Sequence, residues 1–141
     1  MNQAQILLPC AGMAALTAAV WVKLYVDRIG EMQARRIHPQ KLASSEQART
    51  TLVRTGASDN FRNLFELPVL FYALCLALAV SGLGTPAFAA AAWLYVALRA
   101  LHSFIHVTYN RVWHRFIVYA ASSLWLFGLW AAFAVRLVQA G

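Results

Sequence analysis

The chain has 141 residues, of which 61% are hydrophobic and 12% charged, and its mean hydropathy is +0.57. A soluble domain carries about twice that charged fraction, so the composition excludes an ordinary soluble enzyme and marks an integral membrane protein. The net charge of +7 would suit nucleic acid, but most basic residues flank apolar runs, where they face anionic lipid. No nucleic-acid partner is expected.

Four apolar stretches follow in chain order, at residues 6–26, 61–80, 86–107 and 112–135. Each is near the ~20 residues that a helix needs to cross about 30 Å of hydrocarbon. Alternation at period two is absent, which argues against a β-barrel. Backbone in lipid must satisfy itself, so the stretches are helices. The expected fold is an all-α, four-transmembrane-helix bundle, with residues 1–141 forming one membrane domain.

The first stretch carries no charge from Met1 to Val22. It lacks the basic flank of a signal peptide and reads as an uncleaved helix. The charges that follow, in "KLYVDRIGEMQARRIHPQ", extend that helix past the membrane until Pro39 stops it. Residues 40–58 form a polar loop with a helical turn near 45–53. Gly82 and Gly84 end the second helix, and Thr85 with Pro86 starts the third, giving a tight antiparallel hairpin. In the fourth, Gly128 and Ala132 have the small-xxx-small spacing that lets helices approach closely.

Arg28, Arg35, Arg36, Lys41, Arg49 and Arg54 lie between the first two spans, and Arg111 and Arg115 between the last two. The other connection, "SGLGT", is uncharged. The positive-inside rule then puts both basic loops in the cytoplasm. Cys10 and Cys75 sit in different spans without a CxxC partner and read as small core residues. The tryptophans near span ends read as interfacial anchors.

The polar residues inside the spans are the unusual feature. Asp59, Asn63 and Glu66 recur at four and three and share a face of helix two. In "RALHSFIH", Arg99, His102 and His106 do the same on helix three. Glu66 lies about 9 Å inside its span, and Arg99 about 12 Å from the cytoplasmic end of its own. Unpaired, either would cost at least about 2.5 kcal/mol, so Glu66 and Arg99 are expected to meet. Two uses follow: a buried pair that only fixes helix register, or a cytoplasm-facing cleft of Asn63, Glu66, Arg99, His102 and His106. Arg28, Arg35, Arg36, Arg111 and Arg115 would stand near the mouth of that cleft, which would hold a small anionic ligand. His102 and His106 at i, i+4 have the spacing of two metal ligands, but the adjacent arginine disfavours a dication, and no metal is assigned.

"NLFELP" (Asn63 to Pro68) resembles the NxxE-x-P signature at the start of helix two in the MAPEG superfamily, the membrane-associated proteins in eicosanoid and glutathione metabolism. "RALHSFIH" is similar to its RxxYxxxY or RxxHxxxY motif in helix three, and "RRIHP" to the basic end of its helix one. The resemblance covers nearly the whole chain and points to an uncharacterised bacterial branch. It implies a homotrimer in the bacterial inner membrane, with glutathione between subunits. It implies that Asn63 and Glu66 bind the peptide part of glutathione, that Arg99, His102 and His106 face it, and that an arginine beyond helix three lowers the thiol pKa. Arg111 and Arg115 are the candidates for that catalytic role, and Arg36 is a binding candidate at the mouth. The reaction implied is thiolate attack on a small lipophilic electrophile, or peroxide reduction. Asp59 stands where the glutathione enzymes carry arginine, His106 replaces a tyrosine, and Trp113 takes the usual arginine spacing. These departures leave a non-catalytic membrane subunit or scaffold as the other reading.

Overall fold

The first helix, α1 (Ala4–Ala34), is 31 residues long, about 46 Å at 1.5 Å per residue. It therefore passes beyond the hydrocarbon. This computed structural model describes residues 4–140. A 3-10 turn (Pro39–Leu42) and a short helix α2 (Ser45–Thr51) follow. Then come α3 (Gly56–Asn63), α4 (Leu67–Ser81), α5 (Pro86–Val107) and α6 (Val112–Ala140). Four helical segments are long and apolar enough to cross a bilayer: 4–34, 56–81, 86–107 and 112–140. The described chain is an all-α membrane bundle, as its composition requires.

Helix α1 stops five residues before Pro39. The stop is a Schellman arrangement, in which Ile37 N donates to Met32 O at 2.9 Å and Arg36 N to Gln33 O at 3.3 Å. Arg36 takes the left-handed position, with φ 51°, where glycine is usual. The turn expected near 45–53 is α2. A capping box starts it: Gln47 N donates to Ser44 Oγ, and Ser44 N to the Gln47 side chain.

The second span is not one helix. After Asn63 the chain tightens to three-residue bonds, with Phe65 N donating to Arg62 O at 2.9 Å, and α4 begins at Leu67. Pro68 is the cause. It has no N–H for Leu64 O, and its ring would collide with that carbonyl. Beyond it, Gly82 ends α4 at φ 71°, and Thr85 Oγ1 accepts from Phe88 N at 3.3 Å to cap α5.

Helix α1 packs on α3, α4 and α5, while α6 packs on α5 and more lightly on α4. The short connection 82–85 does not make α4 and α5 a close backbone pair. They meet through large side chains, Phe71 stacked on Tyr95 with centroids 4.7 Å apart. Trp125 and Trp130 cross-link the helices. Trp125 Nε1 donates to Ala91 O of α5 at 2.9 Å, and Trp130 Nε1 to Leu70 O of α4 at 3.2 Å. An indole N–H in hydrocarbon needs such an acceptor.

At the end that carries the two basic loops, the start of α3 lies against the end of α5. A Cβ on Gly56 would sit 2.7 Å from the backbone oxygen of His106. Backbone cannot swing aside as a flexible side chain can. Gly56→Ala is therefore expected to lower the thermal midpoint of the purified protein, whereas Gly30→Ala, with nothing within 4 Å, should gain roughly 0.5–1 kcal/mol from helix propensity. Equal melting of Gly56→Ala and wild type would show that α3 and α5 are not so closely joined.

Candidate functional site

The break in the second span creates the site. Asn63 O has lost its helical donor, because the chain turns out of α geometry. Arg99, on the facing side of α5, donates to it from Nη2 at 2.9 Å. Arg99 is 0% exposed. Its guanidinium lies 5.2 Å from the centroid of the Tyr119 ring on α6, a cation–π contact.

In front of Arg99 lies a cavity of about 250 Å³ lined by Asn63, His102, His106, Arg115, Phe116 and Tyr119, with Val112 at its edge. Three elements build it. Asn63 ends α3. His102 and His106 stand one turn apart on α5, with ring centroids 5.3 Å apart. Arg115, Phe116 and Tyr119 come from the first two turns of α6.

The hydrogen bonds fix the imidazoles. His102 Nδ1 is 3.2 Å from Arg115 O. A carbonyl only accepts, so Nδ1 carries the hydrogen and Nε2 keeps a lone pair. That Nε2 is buried and without a partner among the described residues. His106 Nε2 receives Arg115 Nη1 at 3.2 Å and Asn63 Nδ2 at 3.4 Å. Arg115 Nη1 also donates to Asn110 Oδ1 at 2.7 Å. Asn110 holds φ 50° in the turn between α5 and α6, a conformation asparagine tolerates.

Behind this wall, Ser103 Oγ donates to Asn60 Oδ1 at 3.3 Å. Arg99 Nε and Nη1, Tyr95 Oη and Asn60 Nδ2 are buried with no partner among the described residues. Each buried, unpaired polar atom costs about 1–3 kcal/mol, so the strip between α3 and α5 is unusually polar for membrane interior.

The sequence-derived candidates separate into three groups. Asn63, His102, His106 and Arg115 line the cavity together. Arg99 lies one layer behind them. Glu66, Arg36 and Arg111 do not line it. The expected Glu66–Arg99 ion pair is not formed, since both ion pairs among the described residues lie elsewhere, Lys23–Asp27 and Arg35–Glu31. Glu66 falls past the break, is turned to the surface, and accepts from Tyr119 Oη at 3.4 Å. Arg36 is committed by its backbone to ending α1. Arg111 is exposed. Asp59 does not line the cavity, but its carboxylate is near enough to act electrostatically on His106 of the cavity wall. Trp113 is 68% exposed and stacks on Phe116.

Tyr119 and Tyr95 are the residues the sequence reading missed. Each stands four residues from an arginine, Arg115 and Arg99. That spacing was the available signal. Among the described residues no three His, Cys, Asp or Glu side chains converge as metal ligands.

With this geometry in hand, the chain matches the MAPEG family over residues 6–135, and it belongs to that family. Searches of curated proteins and of solved structures returned no match. Family membership makes it one of a group of glutathione-related integral membrane proteins.

The His102 assignment is directly observable. Nitrogen NMR of histidine-labelled protein is expected to show His102 protonated on Nδ1, and protonation on Nε2 alone would contradict the bond to Arg115 O.

Proposed function

We propose that this protein binds glutathione, or a closely related anionic thiol, in the cavity between α3, α5 and α6. We further propose that it transfers the thiol to a lipophilic electrophile or reduces a peroxide with it. One observation carries the reading. The guanidinium of Arg115 faces a cavity whose other polar lining is an amide and two imidazoles, with no carboxylate among the lining residues. Such a site favours an anion.

The parts of glutathione have matching groups. Arg115 suits its thiolate or a carboxylate, and Asn63 suits a peptide amide. Glu66, exposed at the rim and steered by Tyr119, suits the ammonium group. Arg99 acts through Asn63 as a positioning residue. Its remaining donors, Nε and Nη1, suit a carboxylate that reaches past Tyr119.

The chemistry follows from charge. A cation beside a thiol favours thiolate, which is the nucleophile. The thiol proton leaves to solvent or to the free nitrogen of His102. The thiolate sulfur then forms a bond to the electrophilic carbon as its leaving group or π pair departs. Val112 and Phe116, both exposed and both lining the cavity, give a lipophilic partner an apolar approach. Arg115 thus takes the role for which Arg111 was the other candidate.

The cavity of one chain, about 250 Å³, falls below the ~300–1,000 Å³ usual for a small-molecule site. This supports a site completed by a neighbouring subunit in a homotrimer, as the family resemblance implies, with Arg36 contributed across that boundary. The two basic loops support a cytoplasmic opening in a bacterial inner membrane.

Titration of glutathione into the detergent-purified protein tests the reading. Wild type should bind at millimolar concentration or below. Arg115→Gln should weaken binding or thiolate formation about tenfold, equivalent to about 1.4 kcal/mol, and Arg111→Gln should leave both unchanged. No binding by wild type would overturn the proposal. A second reading, a non-catalytic scaffold, is favoured by the Arg99 bond to Asn63 O, which has a structural use of its own. It wins if Arg115→Gln changes nothing while Arg99→Gln disrupts assembly.

A further inference from the structure

A second basic cluster lies apart from the cavity. Arg28 of α1, Arg49 of α2 and Arg62 of α3 surround one small pocket of about 40 Å³, together with Ser45, Thr55 and Ser58. No carboxylate is among its lining residues. None of the three guanidinium groups makes a hydrogen bond or ion pair to a described residue. Two acids of α1 are engaged elsewhere, Asp27 with Lys23 and Glu31 with Arg35, and neither Glu46 nor Asp59 forms an ion pair with the three arginines.

The convergence is built by the fold. Glu31 is buried on α1 and accepts from Val53 N at 2.8 Å, Arg54 N at 2.9 Å and the Arg35 side chain. These bonds tie the end of the first loop to α1. Arg35 Nη1 also donates to Thr51 O at 2.8 Å, at the last residue of α2. Helix α2 is thereby held beside α1, which brings Arg49 and Ser45 to Arg28. Packing of α3 on α1 supplies Arg62 from the other side.

Three like charges around one pocket repel unless an anion lies among them. The Ser45 hydroxyl makes no bond to a described residue, so it is free to donate. A cavity of about 40 Å³ is a few times the ~10–15 Å³ that one water requires, enough for one tetrahedral oxyanion. Guanidinium groups match phosphate oxygens in pairs. Arg28 follows the apolar run 6–26 by two residues, which places it at the level of lipid headgroups.

We propose that Arg28, Arg49, Arg62 and Ser45 form a phosphate-binding site, whose occupant is either an anionic phospholipid headgroup or free phosphate. Bound there, the phosphate would join α1, α2 and α3 and fix the first loop.

The test uses the full-length protein in two arms: native mass spectrometry after exchange into phosphatidylglycerol nanodiscs, and titration with inorganic phosphate in detergent. The expected result is binding of at least one probe by wild type. The combined Arg28→Gln, Arg49→Gln and Arg62→Gln variant should lose about tenfold or more in affinity, with no change for Lys41→Gln, a loop cation outside the cluster. Lipid retained through a phosphate wash assigns the headgroup. Saturable phosphate binding without lipid retention assigns the free ion. Should the triple variant not fold, Arg49→Gln alone, on the exposed α2, should still weaken binding several-fold. The proposal is overturned if wild type binds neither probe, if the arginine variants bind as wild type does, or if Lys41→Gln loses as much as they do.

Discussion

The site depends on one hydrogen bond in the membrane, from Arg99 to the carbonyl of Asn63. Hydrocarbon offers no water to a backbone oxygen, and a spanning helix normally supplies its own donors. Pro68 breaks the second span into α3 and α4, and the turn between them takes Leu67 N away from Asn63 O. A buried arginine is itself costly in lipid. The two liabilities offset each other: the broken helix gives the guanidinium an acceptor, and the guanidinium satisfies the broken helix. Tyr119 covers the remaining face of the cation.

That arrangement explains why the polar strip can be displayed at all. With the break secured, Asn63 turns its amide toward His106, and the start of α6 brings Arg115 over the same imidazole. The Arg115 carbonyl sets the tautomer of His102. One arginine therefore orders two histidines, through its side chain and through its backbone. The tight contact between Gly56 and the end of α5 keeps α3 close enough for this to happen. The first loop is likewise restrained, because Glu31 buries its charge against two loop amides.

Much of this was legible in the sequence, and the exceptions have physical causes. The bounds of α5 were readable because Thr85 and Pro86 begin it and a polar turn follows it. Asn63, His102 and His106 were readable as one cluster from spacings of three and four. Glu66 was misplaced because those spacings assume an unbroken helix, and the proline two residues later changes the phase. Arg115 could not be separated from Arg111, since a turn at Asn110 with positive φ decides which of them faces inward. The early end of α1 was hidden for the same reason: nothing in side-chain propensity marks Arg36 for a left-handed conformation. Tyr95 and Tyr119 disappeared into apolar runs, where tyrosine reads as filler until a cation is found one turn away.

The central claim is that the broken second span, held by Arg99, displays a ligand site around Arg115. A density map of the purified protein in nanodiscs with millimolar glutathione tests it most directly. The account predicts density for a tripeptide against Asn63, Arg115 and the two histidines, with the guanidinium of Arg99 behind it on the Asn63 carbonyl. A continuous second helix with Arg99 turned elsewhere, or glutathione bound away from Arg115, would contradict it.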